Sequence, residues 1–147
     1  MALVVGQNSW VTIAEGDTYL TDRIDSLDWF NLVDTGNPGA MSKTVLLASS
    51  FHWLQGDPSV TLSSTLTDDN VKNAQIEGAL FLMKYSLELQ AKRAFLSFGG
   101  MSFRLSKRWE TFSLKGLTIP VHIIGLLTAY QVTNATVELL GHYDNDD

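Results

Sequence analysis

The sequence predicts a mainly α-helical fold: a small bundle of four to five helices, with an inserted β-hairpin or long loop before the C-terminal helix. Three observations predict it. Helix-start patterns occur at Thr12-Ile13-Ala14-Glu15, at Ser26 and at Thr67-Asp68-Asp69. Apolar residues recur at three- and four-residue steps through the longest uninterrupted stretch, 67–95. Helix-stopping glycine and proline fall between such stretches, at Thr35-Gly36, Gly56-Asp57-Pro58 and Gly99-Gly100. The chain has 147 residues, 45% of them apolar, so wholesale disorder is excluded and one domain, 1–147, is expected.

The elements follow in order. Thr12 and Glu15 form the capping-box pattern, a hydroxyl and a carboxylate three residues apart. The helix they open is predicted to run to about Asp25, with Tyr19, Leu20 and Ile24 on its apolar side. Ser26 is a second N-cap, ahead of a short helix in Leu27-Asp28-Trp29-Phe30-Asn31-Leu32 that ends before Thr35-Gly36. Asn37-Pro38 reopens the chain, since proline suits the first helical position. A third helix over about 38–55 follows, with Met41, Val45, Ala48 and Phe51 on one face. Residues 58–66 are rich in Ser and Thr, with Val60, Leu62 and Leu66 between them, and predict an ordered loop with a short extended piece.

The longest helix is predicted from Thr67 to about Phe95, with Asp68 and Asp69 suited to the positive end of its dipole. One stripe is Val71, Ala74, Gly78, Leu82, Tyr85 and Leu89; another is Ile76, Leu80, Met83, Leu87 and Ala94. Asn73, Glu77, Lys84, Glu88 and Lys92 form a narrow polar strip. Two stripes mean cover on two sides, one by the chain's own core and the other by a neighbouring subunit, the alternative being a central helix of a single domain. After Gly99-Gly100, Met101-Ser102-Phe103-Arg104-Leu105-Ser106 alternates with period two, a strand signal, and Trp109 and Phe112 continue an extended stretch. Ile119-Pro120 starts a final helix to about Tyr130, apolar nearly all round at Val121, Ile123, Ile124, Leu126 and Leu127 and therefore expected to be buried, in its own fold or against a partner. An acidic tail, about 141–147, closes the chain.

Charge is unevenly spread. Residues 1–71 hold two bases against nine acids, a net of −7. Residues 72–115 hold eight bases against three acids, a net of +5, and 116–147 hold four acids and no base. An acidic–basic–acidic chain of net charge −6 argues against a dedicated duplex-DNA binder and suits complementary contact between copies. There is no cysteine, which excludes disulfides, thiolate metal sites and cysteine nucleophiles and fits a reducing compartment. No run is apolar over the roughly 18 residues that span a bilayer, and the start lacks a basic, then apolar, leader pattern. His52, His122 and His142 lack metal-ligand spacing and read as structural or surface residues. No phosphate loop or nucleophile elbow occurs, so no catalytic residue, metal or cofactor is expected.

Lys92, Arg93, Arg104, Lys107, Arg108 and Lys115 lie within 24 positions, interleaved with Phe95, Phe98, Phe103, Trp109 and Phe112. Such a composition suits a single-stranded nucleic-acid platform or a protein–protein interface, and the overall acidity favours the second.

Asn8-Ser9-Trp10-Val11-Thr12-Ile13-Ala14-Glu15-Gly16-Asp17-Thr18-Tyr19-Leu20 resembles the opening of tailed-phage head–tail connector proteins, also called adaptor or head-completion proteins. Their usual pattern is Asn-Ser-Tyr-Val-Ser-hydrophobic, then acidic-x-Ala-Asp-x-Tyr; here Trp10 takes the aromatic place and Gly16 the place of the alanine. Phe51-His52-Trp53-Leu54-Gln55-Gly56, the stretch Val71-Lys72-Asn73-Ala74-Gln75-Ile76-Glu77-Gly78-Ala79-Leu80 and Leu117-Thr118-Ile119-Pro120 resemble later family segments, in the expected order. Between 57 and 70 the chain has Ser and Thr where many relatives carry Gln-x-Leu-x-Trp-Pro-Arg, which leaves the shape of that loop open. The resemblance implies a virion protein of the phage neck, made in the host cytoplasm. It implies a homo-oligomeric ring, commonly of twelve copies, docked under the portal protein. The ring would extend the channel through which genomic DNA passes without sequence-specific binding, and would meet a stopper or tail-completion protein below. Lys92, Arg93, Arg104, Lys107 and Arg108 are then candidates for a subunit interface or channel face. The family's C-terminal helix or tail reaches the portal, which makes Ile123, Ile124, Leu127, Tyr130 and Tyr143 portal-docking candidates. Some relatives resemble a DnaT-like single-stranded-DNA-binding domain, which is the alternative function. A stopper or tail-terminator would be richer in β structure.

Overall fold

Helix α1 (Ile13–Leu20) starts at the predicted capping box: the Glu15 N–H donates to Thr12 Oγ1 (3.2 Å) and the Thr12 N–H to Glu15 Oε2 (2.7 Å). The computed structural model describes residues 2–37, 40–97, 102–105, 108–111 and 118–132, with side chains outside 86–117. The protein is mainly helical, consistent with a small helical bundle.

α1 is shorter than predicted. It stops at Leu20, where Arg23 turns to extended backbone (φ −96°, ψ 131°) and its guanidinium reaches Glu77. Ile24 therefore lies on no apolar side of α1 and is fully exposed. A 3-10 turn, Ile24–Ser26, leads into α2 (Leu27–Phe30), which ends before Asn31 rather than near Thr35. Ser26 precedes α2 as predicted, but its hydroxyl donates to the Arg23 carbonyl (2.7 Å) and caps nothing.

α3 (Lys43–Gly56) begins at Ser42, whose Oγ accepts from the Val45 N–H (3.2 Å), and not near Pro38, which lies outside the described residues. Of the predicted face Ala48 and Phe51 are buried, together with Leu46, Leu47, Ser50 and Leu54, whereas Met41, which precedes the helix, and Val45 are exposed. The predicted stop at Gly56-Asp57 is observed.

α4 (Asp69–Ser97) is about 44 Å long at 1.5 Å per residue. Asp68, just before it, accepts from the Asn70 N–H (2.9 Å), so these carboxylates serve the helix start as predicted. Residues 74–80 are all buried. On one side Val71 and Ala74 pack with Trp10, Phe51, Leu54, Ile119, Ile123 and Leu127. On the other, Ile76, Ala79, Leu80 and Met83 pack with Val11, Leu20, Trp29, Leu46 and Leu47. The two predicted sides exist, but along 71–83 both are covered by this chain, with no second subunit required. Glu77 is consequently buried and leaves the predicted polar strip.

The chain after α4 holds two antiparallel strands, β1 (Ser102–Leu105) and β2 (Arg108–Thr111), with Arg104 opposite Trp109 and Leu105 opposite Arg108. The inserted pair of strands is thus seen in the backbone; Gly99-Gly100 and residues 106–107 lie outside the described residues. The last helix is one α turn, α5 (Val121–Ile124), continued as 3-10 helix over Gly125–Tyr130. Pro120 stands at its N-cap. Ile123 and Leu127 are buried whereas Val121 is exposed, so this chain's own fold covers one side of the helix. An antiparallel bridge, Val60 with Gln131, ties its end to the Ser/Thr loop: the Thr61 N–H donates to Tyr130 O and the Val132 N–H to Ser59 O, both at 2.9 Å. This is the extended piece predicted in 58–66.

Candidate functional site

A glutamine organises the centre. Gln75 is fully buried on α4. Its Oε1 accepts from the Trp10 N–H (2.8 Å), and its Nε2 donates to Ser9 Oγ (2.8 Å) and to the Leu47 carbonyl (2.9 Å). Its backbone carbonyl accepts from Ser50 Oγ (2.8 Å). The N-terminal motif, α3 and α4 therefore meet at one residue. Trp10 packs against Phe51 with ring centroids 4.4 Å apart, and its Nε1–H donates to Ser63 O (2.8 Å). Asn8 folds the preceding turn by accepting from the Val4 N–H (2.7 Å) and donating to Ala2 O (3.0 Å).

A chain of charge runs beside it. Buried Glu77 accepts from Tyr19 Oη (2.9 Å) and from Arg23. Arg23 also pairs with Asp25 (3.1 Å), which pairs with Lys84 (3.1 Å). Burial, then the Glu77 hydrogen bond, push the Tyr19 hydroxyl above its ordinary pKa. Arg23, then Lys84, hydrogen-bond Asp25 and pull its carboxyl down to about 2. The small cavity here, about 170 Å³, is lined by Arg23, Glu77, Phe81, Tyr85 and His122 among others. A wider groove of about 400 Å³ lies between α1 and α4, with Val11 and Ile76 among its lining residues beside the Glu15–Lys72 ion pair (2.9 Å). Lys72 and Lys84 are thus both paired within the chain.

The pull on Asp25 has a consequence for acid stability. A carboxyl lowered on folding adds stability above its unfolded value near 4, and loses it as pH falls towards about 2. The urea midpoint is expected to drop over that interval. Asp25→Asn should lower the unfolding free energy at pH 7 by roughly 0.2–1 kcal/mol, the range for exposed pairs, and flatten the acid slope. An unchanged slope in the variant would assign the acid effect to other carboxylates.

A second surface escaped the sequence reading. Ile24, Leu27, Phe30 and Val33 recur at steps of three and are 103, 68, 42 and 71% exposed. Ser26 and Trp29, between them, are buried. Trp29 Nε1–H donates to Asp17 Oδ1 (2.8 Å), and the Lys43 ammonium lies 5.6 Å from the Trp29 ring centroid and 5.2 Å from that of Phe30. The outward face is therefore anchored from behind. The signal available in the sequence was the three-residue spacing, which does not say which of two faces is inward.

The predicted site residues divide. Ile123 and Leu127 are fully buried against the Trp10–Phe51 core, so they hold the last helix down and present no surface to a portal. Ile124 is half-buried against the same core. Tyr130 is half-buried too, and its hydroxyl donates to Asp68 (3.0 Å), a hydrogen bond that raises the Tyr130 pKa. Tyr143 and Lys107 lie outside the described residues. Lys92 and Arg93 are on the α4 backbone, Arg104 on β1 and Arg108 on β2, with their side chains outside the description. Of the histidines, His52 and His122 are exposed, and His142 is outside the described residues. Among the described residues no three His, Asp or Glu side chains come together as a metal site, and no helix is long and apolar enough to cross a membrane. No family model matches the chain, and no curated protein or solved structure matches it.

Proposed function

We propose that the chain is a ring-forming adaptor of a tailed-bacteriophage neck, which docks under the portal, extends the DNA channel and joins head to tail. One observation carries the reading. The four segments that resemble head–tail connector proteins, far apart in sequence, converge on a single core. Trp10 from the first, Phe51 and Leu54 from the second, Val71 and Ala74 from the third, and Ile119 from the fourth pack together. Gln75 of the third segment binds Ser9 and Trp10 of the first. The resemblance is therefore one of a packed unit, and not of scattered similar residues. A helical bundle with a hairpin before its last helix is also the architecture that the resemblance implies. The localisation that follows is the virion neck.

The test is the mass of the purified chain alone and mixed with its portal. A closed ring, or a monomer that becomes a ring on portal, is the expected result. A monomer that ignores portal, but binds single-stranded DNA with a steep salt slope, would replace this reading with the DnaT-like one.

A further inference from the structure

We propose that the outward face of Ile24, Leu27, Phe30 and Val33 is the docking site for the basic, aromatic hairpin segment 102–111 of a second copy. The proposal deepens the ring reading, on which its demand for a second copy rests, by naming the two surfaces that meet.

The face combines apolar area with an excess of acid; the cations beside it, Arg23, Lys43 and Lys84, are already paired with Glu77, Asp17 and Asp25. Asp22, Asp25, Asp28 and Asp34 alternate with its four apolar side chains, and no Lys or Arg occurs from 24 to 42. Among the described residues Asp22, Asp28 and Asp34 have no ion-pair partner. Four exposed apolar side chains within ten residues cost hydration in a free monomer and suit an interaction site. Because buried Trp29 fixes the segment from behind, little order is lost when the face is covered.

The complement lies on the same chain. Segment 102–111 carries Arg104, Lys107 and Arg108 against Glu110, with Phe103 and Trp109 among them. Arginine and aromatic residues are the types that anchor interfaces, and opposite charge steers them into register. A nucleic acid would be repelled by the aspartates. An acidic–apolar patch and a basic–aromatic patch are unlike surfaces, so contact between them is head-to-tail. Each copy then keeps one free patch of each kind, which builds a ring where the rotation closes.

The experiment uses the full-length chain, with sedimentation and native mass spectrometry from micromolar to millimolar concentration. Wild type is expected to self-associate, at least tenfold more weakly in 0.5 M than in 0.05 M salt. The pair Ile24→Lys/Leu27→Lys and the pair Arg104→Glu/Arg108→Glu should each weaken association at least tenfold. Ile24 and Leu27 are exposed, so the first pair should leave the melting curve and helical circular dichroism unchanged, and it decides the matter alone if the hairpin pair misfolds. Mixed in equal amounts, the two variants retain one intact face and one intact hairpin, and should form a 1:1 heterodimer and nothing larger. A wild type that stays monomeric at millimolar concentration, an assembly indifferent to the lysines, or a mixture of folded variants without heterodimer overturns the proposal. A monomeric wild type that binds portal would sink this face and spare the neck reading; self-association without portal binding would do the reverse.

Discussion

Replacing Gln75 by leucine is expected to destabilise the protein by about 2–4 kcal/mol. Leucine fills nearly the same volume but makes none of the three side-chain hydrogen bonds that reach Trp10, Ser9 and Leu47. Each such bond is worth about 1 kcal/mol net, and a buried donor left without a partner costs about 1–3 kcal/mol more. The Trp10 N–H becomes that donor. Ser9 suffers less because its hydroxyl also bonds the Val11 carbonyl (2.6 Å). A loss of this size is a large share of the 5–15 kcal/mol typical of a whole domain. It should appear as a lower urea midpoint at unchanged slope. Gln75→Glu gives a sharper check. It keeps an acceptor for Trp10 but sets a buried carboxylate against the Leu47 carbonyl. Its folded pKa must rise, so the variant should be weakest at neutral pH and regain stability as pH falls through that raised value. A loss below about 1 kcal/mol for Gln75→Leu would mean that the Gln75 hydrogen bonds add little to what holds the N-terminal motif.

What was legible in the sequence is what short-range chemistry decides. The Thr12–Glu15 box spans three residues, and both of its hydrogen bonds form as read. The stop at Gly56-Asp57 and the strand after Met101 are equally local. The misreadings concern long-range choices. Glu77 was placed on a wet strip because carboxylates usually are, yet Tyr19 and Arg23, more than fifty positions away, arrive to bond it. Met41 and Val45 are as apolar as Leu46 and Leu47, so α3 carries apolar residues on several sides and periodicity cannot choose the buried one. The Ser42 cap, by setting where the helix begins, and the approach of α4 decide it. For the candidate site, the basic segment was visible as composition. The outward face was not, because Leu27, Trp29 and Phe30 are all apolar and the spacing alone does not say that Trp29 takes the inward position. The portal candidates Ile123 and Leu127 were misassigned for the related reason that an apolar helix looks alike whether its own core or a partner covers it.

Gly78→Ala should run against helix propensity. In an open helix interior the change gains about 1 kcal/mol. Here a Cβ on Gly78 would overlap Ser50 Oγ, so the small residues Gly78 and Ser50 mark where α4 and α3 approach most closely among the contacts described. Ser50 is fully buried and its hydroxyl donates to the Gln75 carbonyl, so it cannot turn aside without giving up that bond. Overpacking of this kind costs about 1–3 kcal/mol, and the single variant should be destabilised by that order. Ser50→Ala alone loses one hydrogen bond to a carbonyl that already serves the helix, at about 1 kcal/mol. Combined, the two changes relieve each other. With the hydroxyl gone, the new methyl meets Ser50's Cβ position at 3.5 Å and Leu54 Cδ1 at 3.8 Å, ordinary contact distances. The double variant should therefore be more stable than Gly78→Ala, by about 1–2 kcal/mol once the helix gain is realised. A urea-monitored double-mutant cycle reads this directly. Additive losses would mean that the helices separate to admit the methyl, and would remove the Ser50 hydroxyl as the element that sets their spacing.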